Sequence, residues 1–201
     1  AAGGHGYVLL CAYEKFGDAE YLERAKHAIK VLDSQRESRF YEILLPFGIY
    51  TAAKLNAEES TDYDIYKMLG WLFNGSAGRS GWGVITGTWG PYSVDGLQGS
   101  TTDGGGYAFL MNSFEMAWPL VPMVKYQPQY AAAVGKWMLN NASASRLFYP
   151  GYIDDAHQFA PELKNLTANN VAYEGLRFSD RYRQKDACPI AEGDGPSWTS
   201  T

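Results

Sequence analysis

The run Gly81–Gly106, GWGVITGTWGPYSVDGLQGSTTDGGG, constrains the fold more than any other part of the chain. It is too rich in glycine and too poor in aliphatic residues for a helix or a buried strand. It nevertheless carries Trp82, Trp89, Tyr92, Asp95 and Asp103. Irregular runs beyond about 12–15 residues are uncommon in compact domains and are usually functional or disordered. A segment with two tryptophans collapses onto something instead of staying disordered. It is read here as a long ordered loop whose aromatic plates and carboxylates suit a polar, ring-shaped ligand.

The segments on either side read as helices. Gly6–Phe16 is almost wholly apolar and ends at Gly17, after which Asp18 is a good N-cap for Ala19–Asp33. In that second helix Tyr21, Leu22, Ala25, Ala28, Ile29 and Leu32 recur at three- and four-residue steps, which leaves a charged face for solvent. Phe40–Asn56 is apolar nearly all round, and Pro46 must either start it at the first turn or kink it. Thr61 or Asp62 caps a half-polar helix running to about Phe73. Gly106–Tyr126 is a further nearly all-apolar helix, bent or ended by Pro119 and Pro122, and Pro128 opens Gln129–Asn140. A second irregular stretch, Ala142–Asn170, holds Tyr149, Tyr152, Asp154, Asp155 and His157. Val171–Gln184 reads as a last helix, and the tail from Asp186 as loop.

Helices that are apolar all round alternate with one-sided ones, as in an inner ring of helices wrapped by an outer ring. Gly6-Tyr7 and Gly106-Tyr107 open two inner helices in a weak internal repeat. The expected fold class is therefore all-α, with about seven helices paired as hairpins in two layers across one domain, residues 1–201.

The hairpin phrase Phe16-Gly17-Asp18-Ala19-Glu20-Tyr21-Leu22-Glu23-Arg24-Ala25 resembles the six-hairpin (α/α)-toroid glycosidase-like proteins. So do the runs Val94–Ser100, Gly105–Asn112, Arg146–Pro150 and Ala172–Arg177, whose nearest likeness is to uncharacterised bacterial glycoside-hydrolase-like proteins. That resemblance implies two concentric helix rings, a carbohydrate partner bound at one end, and a secreted or periplasmic setting. Twelve helices complete such a toroid. The chain is thus expected to be a partial one, completed by further sequence or by another copy in a homo-oligomer.

Composition narrows the partners. The net charge is −5 and no basic cluster stands out among the 17 Lys and Arg, which argues against a nucleic-acid partner. No apolar run approaches the roughly 18–20 residues of a membrane span. The absence of Met at Ala1 and of a signal peptide is compatible with a mature form or a piece of something longer. Cys11 and Cys188 fit no metal spacing, and Gly104-Gly105-Gly106 lacks the Lys-Ser/Thr of a phosphate loop. No metal or cofactor is expected.

Glycosidic hydrolysis needs two carboxyl groups flanking the bond, about 5–5.5 Å apart in retaining enzymes and about 6.5–9.5 Å apart in inverting ones. The catalytic candidates are Asp103, Glu115, Glu174 and Asp95. Asp103 precedes three glycines that would let a substrate near the backbone, although it can equally cap the next helix. Asp95, in Val94-Asp95-Gly96, also suits a plain turn. Glu115 is the only formal charge between Gly104 and Val124, so it faces a partner or a cavity, where a carboxyl has the raised pKa of a general acid. Glu174 stands at the start of the expected last helix. Trp82, Trp89 and Tyr92 are the expected sugar platform, with Tyr107, Asp155 and His157 completing the substrate-binding set. The resulting expectation is a glycoside hydrolase acting on an oligo- or polysaccharide. A polysaccharide lyase would instead use Tyr107, Tyr152 or His157, with Arg146 and Arg177 facing an anionic polymer. A non-catalytic carbohydrate-binding or scaffold module is the reading from another class.

Overall fold

In a computed structural model of the chain, residues 1–38, 40, 42–75, 79–102, 106–163, 172–179 and 188–193 are described. The chain divides into two compact units, Ala1–Gly83 with Glu115–Gly135, and Val84–Phe114 with Lys136–Thr201.

The first unit is helical. Helix α1 (Ala2–Phe16) closes at Gly17, whose φ of 73° allows the left-handed cap, and its N–H bonds back to the Tyr13 carbonyl. Helix α2 (Ala19–Asp33) starts at Asp18, whose side chain accepts from the Glu20 N–H. Helix α3 (Leu44–Glu58) begins later than its apolar pattern suggests, placing Pro46 in the first turn, where no intrahelical donor is lost. Helix α4 (Ile65–Phe73) is capped by Asp64, not by Thr61 or Asp62, through a bond from the Lys67 N–H. The core is made by Ala25 and Ile29 of α2 and Ile49, Ala52 and Ala53 of α3, all fully buried. At the α1–α3 contact, a methyl on Gly48 would lie 2.8 Å from the Cα of Gly3, so the two backbones meet only because both residues are glycine. At the rim Lys54 pairs with Glu14 and, at 3.7 Å, with Glu58. Burial works against the Lys54 charge, yet Glu14 outweighs it and the ammonium is held above its usual range. Burial pushes the neighbouring Tyr50 phenol up to about 12.

The second unit overturns the all-α expectation and, with it, the two-ringed toroid. The glycine-rich run folds into strands: β1 (Trp82–Val84), within which the division between the units falls, then β2 (Thr88–Trp89), β3 (Tyr92–Ser93) and β4 (Gln98–Ser100). Tyr107–Phe109, expected inside a long helix, is strand β5, followed by the short helices α5 (Leu110–Glu115) and α6 (Ala117–Met123). Gly175–Arg177, expected inside the last helix, is β6, and Ile190–Glu192 in the supposed loop tail is β7. A five-stranded sheet runs β1-β4-β5-β6-β7, and β2 pairs with β3 in a separate two-stranded ribbon. The physical reason is non-local: a three-residue strand has no periodicity of its own and is defined by its antiparallel partners. Helix α7 (Ala131–Ala144) follows a 3-10 turn opened by Pro128, close to where the sequence puts it.

Register separates the two faces of this sheet. Gly99, Ala108, Leu176 and Ala191 stand opposite one another along β4 to β7. Ala108, Leu176 and Ala191 enter the core with Trp89, Val94, Leu97, Leu147, Phe148, Ile153 and Tyr173. Side chains alternate along a strand, so Ser100, Tyr107 and Arg177, with Gly175 and Glu192, share the other face. Gln98, two residues from Ser100, joins them. The same register puts Phe109 and Ile190 on that face, and its polar groups are buried, Gln98 at 0%, Ser100 at 2% and Glu192 at 2% exposure.

Candidate functional site

Two polar clusters stand out in the second unit, and one of them reaches solvent through Asp154, 55% exposed at its side chain. The buried one is the polar sheet face. Arg177 Nε approaches Glu192 Oε1 at 2.5 Å, and the guanidinium lies 4.1 Å from the centre of the Tyr107 ring. The amides of Gln98 and Asn112 are fully enclosed and have no hydrogen-bond partner among the described residues. With Gln98 and Glu192 sealed in this way, the layer offers a ligand no approach and serves as internal structure.

The open cluster joins the ribbon to the second irregular stretch. Tyr92 sits on β3 opposite Trp89 and packs, half-buried, against the edge of the core. Asp154 and His157 flank a single 3-10 turn, Asp155–His157, which Asp154 caps by accepting from the Ala156 N–H at 3.0 Å. Capping turns Oδ1 of Asp154 onto the first N–H of the turn and leaves Oδ2 for a partner outside it. Tyr92 Oη donates to Asp154 Oδ2 at 2.5 Å, and His157 Nδ1 lies 2.8 Å from Asp154 Oδ1. The Asp154 N–H in turn donates to Tyr92 Oη at 3.1 Å. The Tyr92 and His157 rings meet edge to face with centroids 5.2 Å apart.

The electrostatics follow from those bonds. The Tyr92 hydroxyl first, and His157 second, hold the Asp154 carboxyl below its usual range. Burial first, and the bond to Asp154 second, push the Tyr92 phenol above its usual value. At neutral pH Tyr92 is therefore a protonated donor and Asp154 an ionised acceptor. An ionised carboxylate can only accept, so Nδ1 of His157 must carry the proton. In the tautomer this contact selects, the ring lone pair is on Nε2, which has no protein partner among the described residues. A carboxylate that fixes the tautomer in this way turns a histidine into a directed proton acceptor.

The structure distributes the other candidates as follows. Asp95 accepts from Gly87 N at 2.6 Å and lies 3.4 Å from Ser93 Oγ, within a turn. Glu174 is half-buried, and its backbone carbonyl accepts from Leu110 N at 2.8 Å. Glu115 closes α5 and is half-buried. Asp155 is exposed in the first turn after the Asp154 cap. Asp103 lies outside the described residues. Trp82, Trp89 and Tyr107 are 7%, 6% and 7% exposed, so none of these rings presents a face to solvent. Trp89 stacks edge-on to Phe178 at 6.0 Å. The site set missed Asp154, although its position three residues before His157, at cap spacing, is a usable signal. Glu192 gave no local signal, because its strand is defined only by pairing with β6. Cys11 and Cys188 are both free.

Fold and site together define a mixed helix-and-sheet protein carrying an imidazole–carboxylate–phenol cluster on its second unit. Comparison with protein-family models, with curated proteins and with solved structures finds no match for this chain. The likeness to the toroid glycosidase-like proteins is thus corrected twice, by the five-stranded sheet and by the lack of any family match. Among the described residues no helix is long and apolar enough to cross a membrane.

Proposed function

We propose that the Tyr92–Asp154–His157 cluster is a proton-transfer site working on a hydroxyl-rich ligand of the carbohydrate class. The observation that carries this reading is the 2.8 Å contact between His157 Nδ1 and Asp154 Oδ1, with Tyr92 holding the other carboxylate oxygen. Tyr92 has its hydroxyl committed as donor and acceptor to Asp154, so its role is positioning. The group left to move a proton is His157 Nε2. Proton abstraction or donation at a ligand hydroxyl or at an acidified ring hydrogen is the chemistry such a base performs, typically worth about 10²–10⁴-fold in rate. Asp95 is engaged by Gly87 N and Ser93 Oγ, and Asp154 by Tyr92, His157 and Ala156 N, which favours the imidazole over a carboxylate pair as the working group.

A binding role without chemistry draws support from the paired bonds between Tyr92 and Asp154, because the same cluster also staples the ribbon to the loop. Product analysis on a panel of soluble polysaccharides separates the two readings. New reducing or unsaturated ends that vanish in His157→Ala support proton transfer. Ligand retention with no product supports binding alone. Neither product nor retention, or either one unchanged in His157→Ala, overturns the proposal.

A further inference from the structure

A site for a sugar ring needs an aromatic face, and of the expected platform Trp82 and Trp89 are enclosed, as is Tyr107 of the wider binding set. Tyr92 is half-buried with its edge contact already made to His157. Tyr152 is different. It is 54% exposed and lies two residues before Asp154, so its Cα is within about 7 Å of the Asp154 Cα whatever the local conformation. The guanidinium of the exposed Arg146 sits over its ring, 5.8 Å from the centroid. Arg146 makes no ion pair among the described residues, and its carbonyl accepts from the Tyr149 N–H at 2.9 Å.

We propose that Tyr152, steadied by Arg146, is the stacking platform of the site and that it takes a pyranose ring from a neutral oligosaccharide. This rests on the reading of the His157 cluster as the working site. The guanidinium lies over the phenol ring at 5.8 Å, and the 54% exposure of Tyr152 supplies the surface the ligand would meet. Packing against Arg146 also restricts the rotamers of Tyr152 before a ligand arrives, so less conformational freedom is lost on binding. The C–H face of a pyranose packs on an aromatic plane, while its rim hydroxyls point sideways toward groups such as His157 Nε2. Exposed Asp154 and Asp155 beside the ring make a neutral sugar a better fit than an anionic one, since like charges repel.

The test is titration of the full 201-residue chain with cellohexaose, maltohexaose, xylohexaose and mannohexaose. Calorimetry reads affinity, and the His157 Cε1–H resonance reports arrival at the cluster. We expect one of these probes to bind and to shift that resonance. Tyr152→Ala should weaken binding about tenfold and Tyr152→Phe by less than about twofold, at the upper end of what an aromatic contact contributes. Circular dichroism confirms that each variant is folded. Affinity unchanged in Tyr152→Ala, with the His157 shift intact, overturns the platform and leaves the site reading standing. Binding that never moves the His157 resonance overturns the site reading with it. Failure of all four probes to bind overturns the choice of a neutral sugar.

Discussion

The second unit uses carboxylates in two opposite ways. Glu192 is 3% exposed at its side chain and answers a largely buried guanidinium, whereas Asp154 is 55% exposed and answers a phenol and an imidazole. A buried pair has paid heavily for desolvation and recovers it only while both partners remain. Asp154 keeps much of its hydration, although His157 beside it is only 14% exposed, so its bonds add less stability than those of the enclosed pair. The difference teaches where function can sit. The Arg177–Glu192 layer holds strands together, and the Tyr92–Asp154–His157 cluster holds a proton acceptor in place.

Removing the buried carboxylate is the largest test of that contrast. Glu192→Ala should destabilise the protein by about 3–5 kcal/mol in chemical denaturation, because the Arg177 charge keeps its burial and loses its counter-charge. A loss below about 1 kcal/mol would place the pair among the solvent-exposed ones and erase the distinction.

The exposed cluster should respond far less. Tyr92→Phe deletes one hydroxyl and should cost about 1 kcal/mol, the usual net worth of a hydrogen bond. Its clearer signature lies in pH. Asp154 has a depressed value in the folded state, so its contribution is present above the ordinary carboxylate pKa of about 3.9 and is lost as pH falls through the folded value. Tyr92 has a raised value, so its contribution is full below about pH 10 and is lost as pH rises through the folded value. Melting temperature measured from acid to alkaline pH should show both slopes flattened in Tyr92→Phe. Curves that run parallel to the wild type at both ends would mean that the cluster does not couple to folding at all.

Legibility from sequence follows the same division between local and distant causes. Helix α2 is visible because everything it needs lies within it: the Asp18 cap, the apolar stripe and the charged face. Strand β5 is invisible for the opposite reason. Tyr107–Phe109 opens an apolar run that reads as helix, and only pairing with Gly99–Ser100 and Gly175–Arg177 makes it a strand. Of the site, Tyr92 and His157 were legible as polar rings in long irregular stretches. Their meeting was not, because 62 residues separate Tyr92 from the carboxylate that joins them. The buried layer was hidden more deeply still, since Arg177 and Glu192 become neighbours only through the β6–β7 register.

The smallest expected effect sharpens the comparison from inside the buried layer. Gln98 lies on the same sheet face as Glu192 and is just as enclosed, but its amide has no partner among the described residues. A buried polar group without a bond costs about 1–3 kcal/mol, whereas an apolar group of similar shape carries no such penalty. Gln98→Leu should therefore change stability by less than about 1 kcal/mol, or raise it, at a position where substitution of the neighbouring charge is severe. The bond that the Gln98 backbone N–H donates to Ser113 Oγ, 3.0 Å long, does not involve the Gln98 side chain and should survive the change. A loss comparable to that of Glu192→Ala would show that the amide belongs to the ionic network. A neutral or stabilising result would show that burial alone does not make a polar residue structural, and that what matters in this layer is the charge pair.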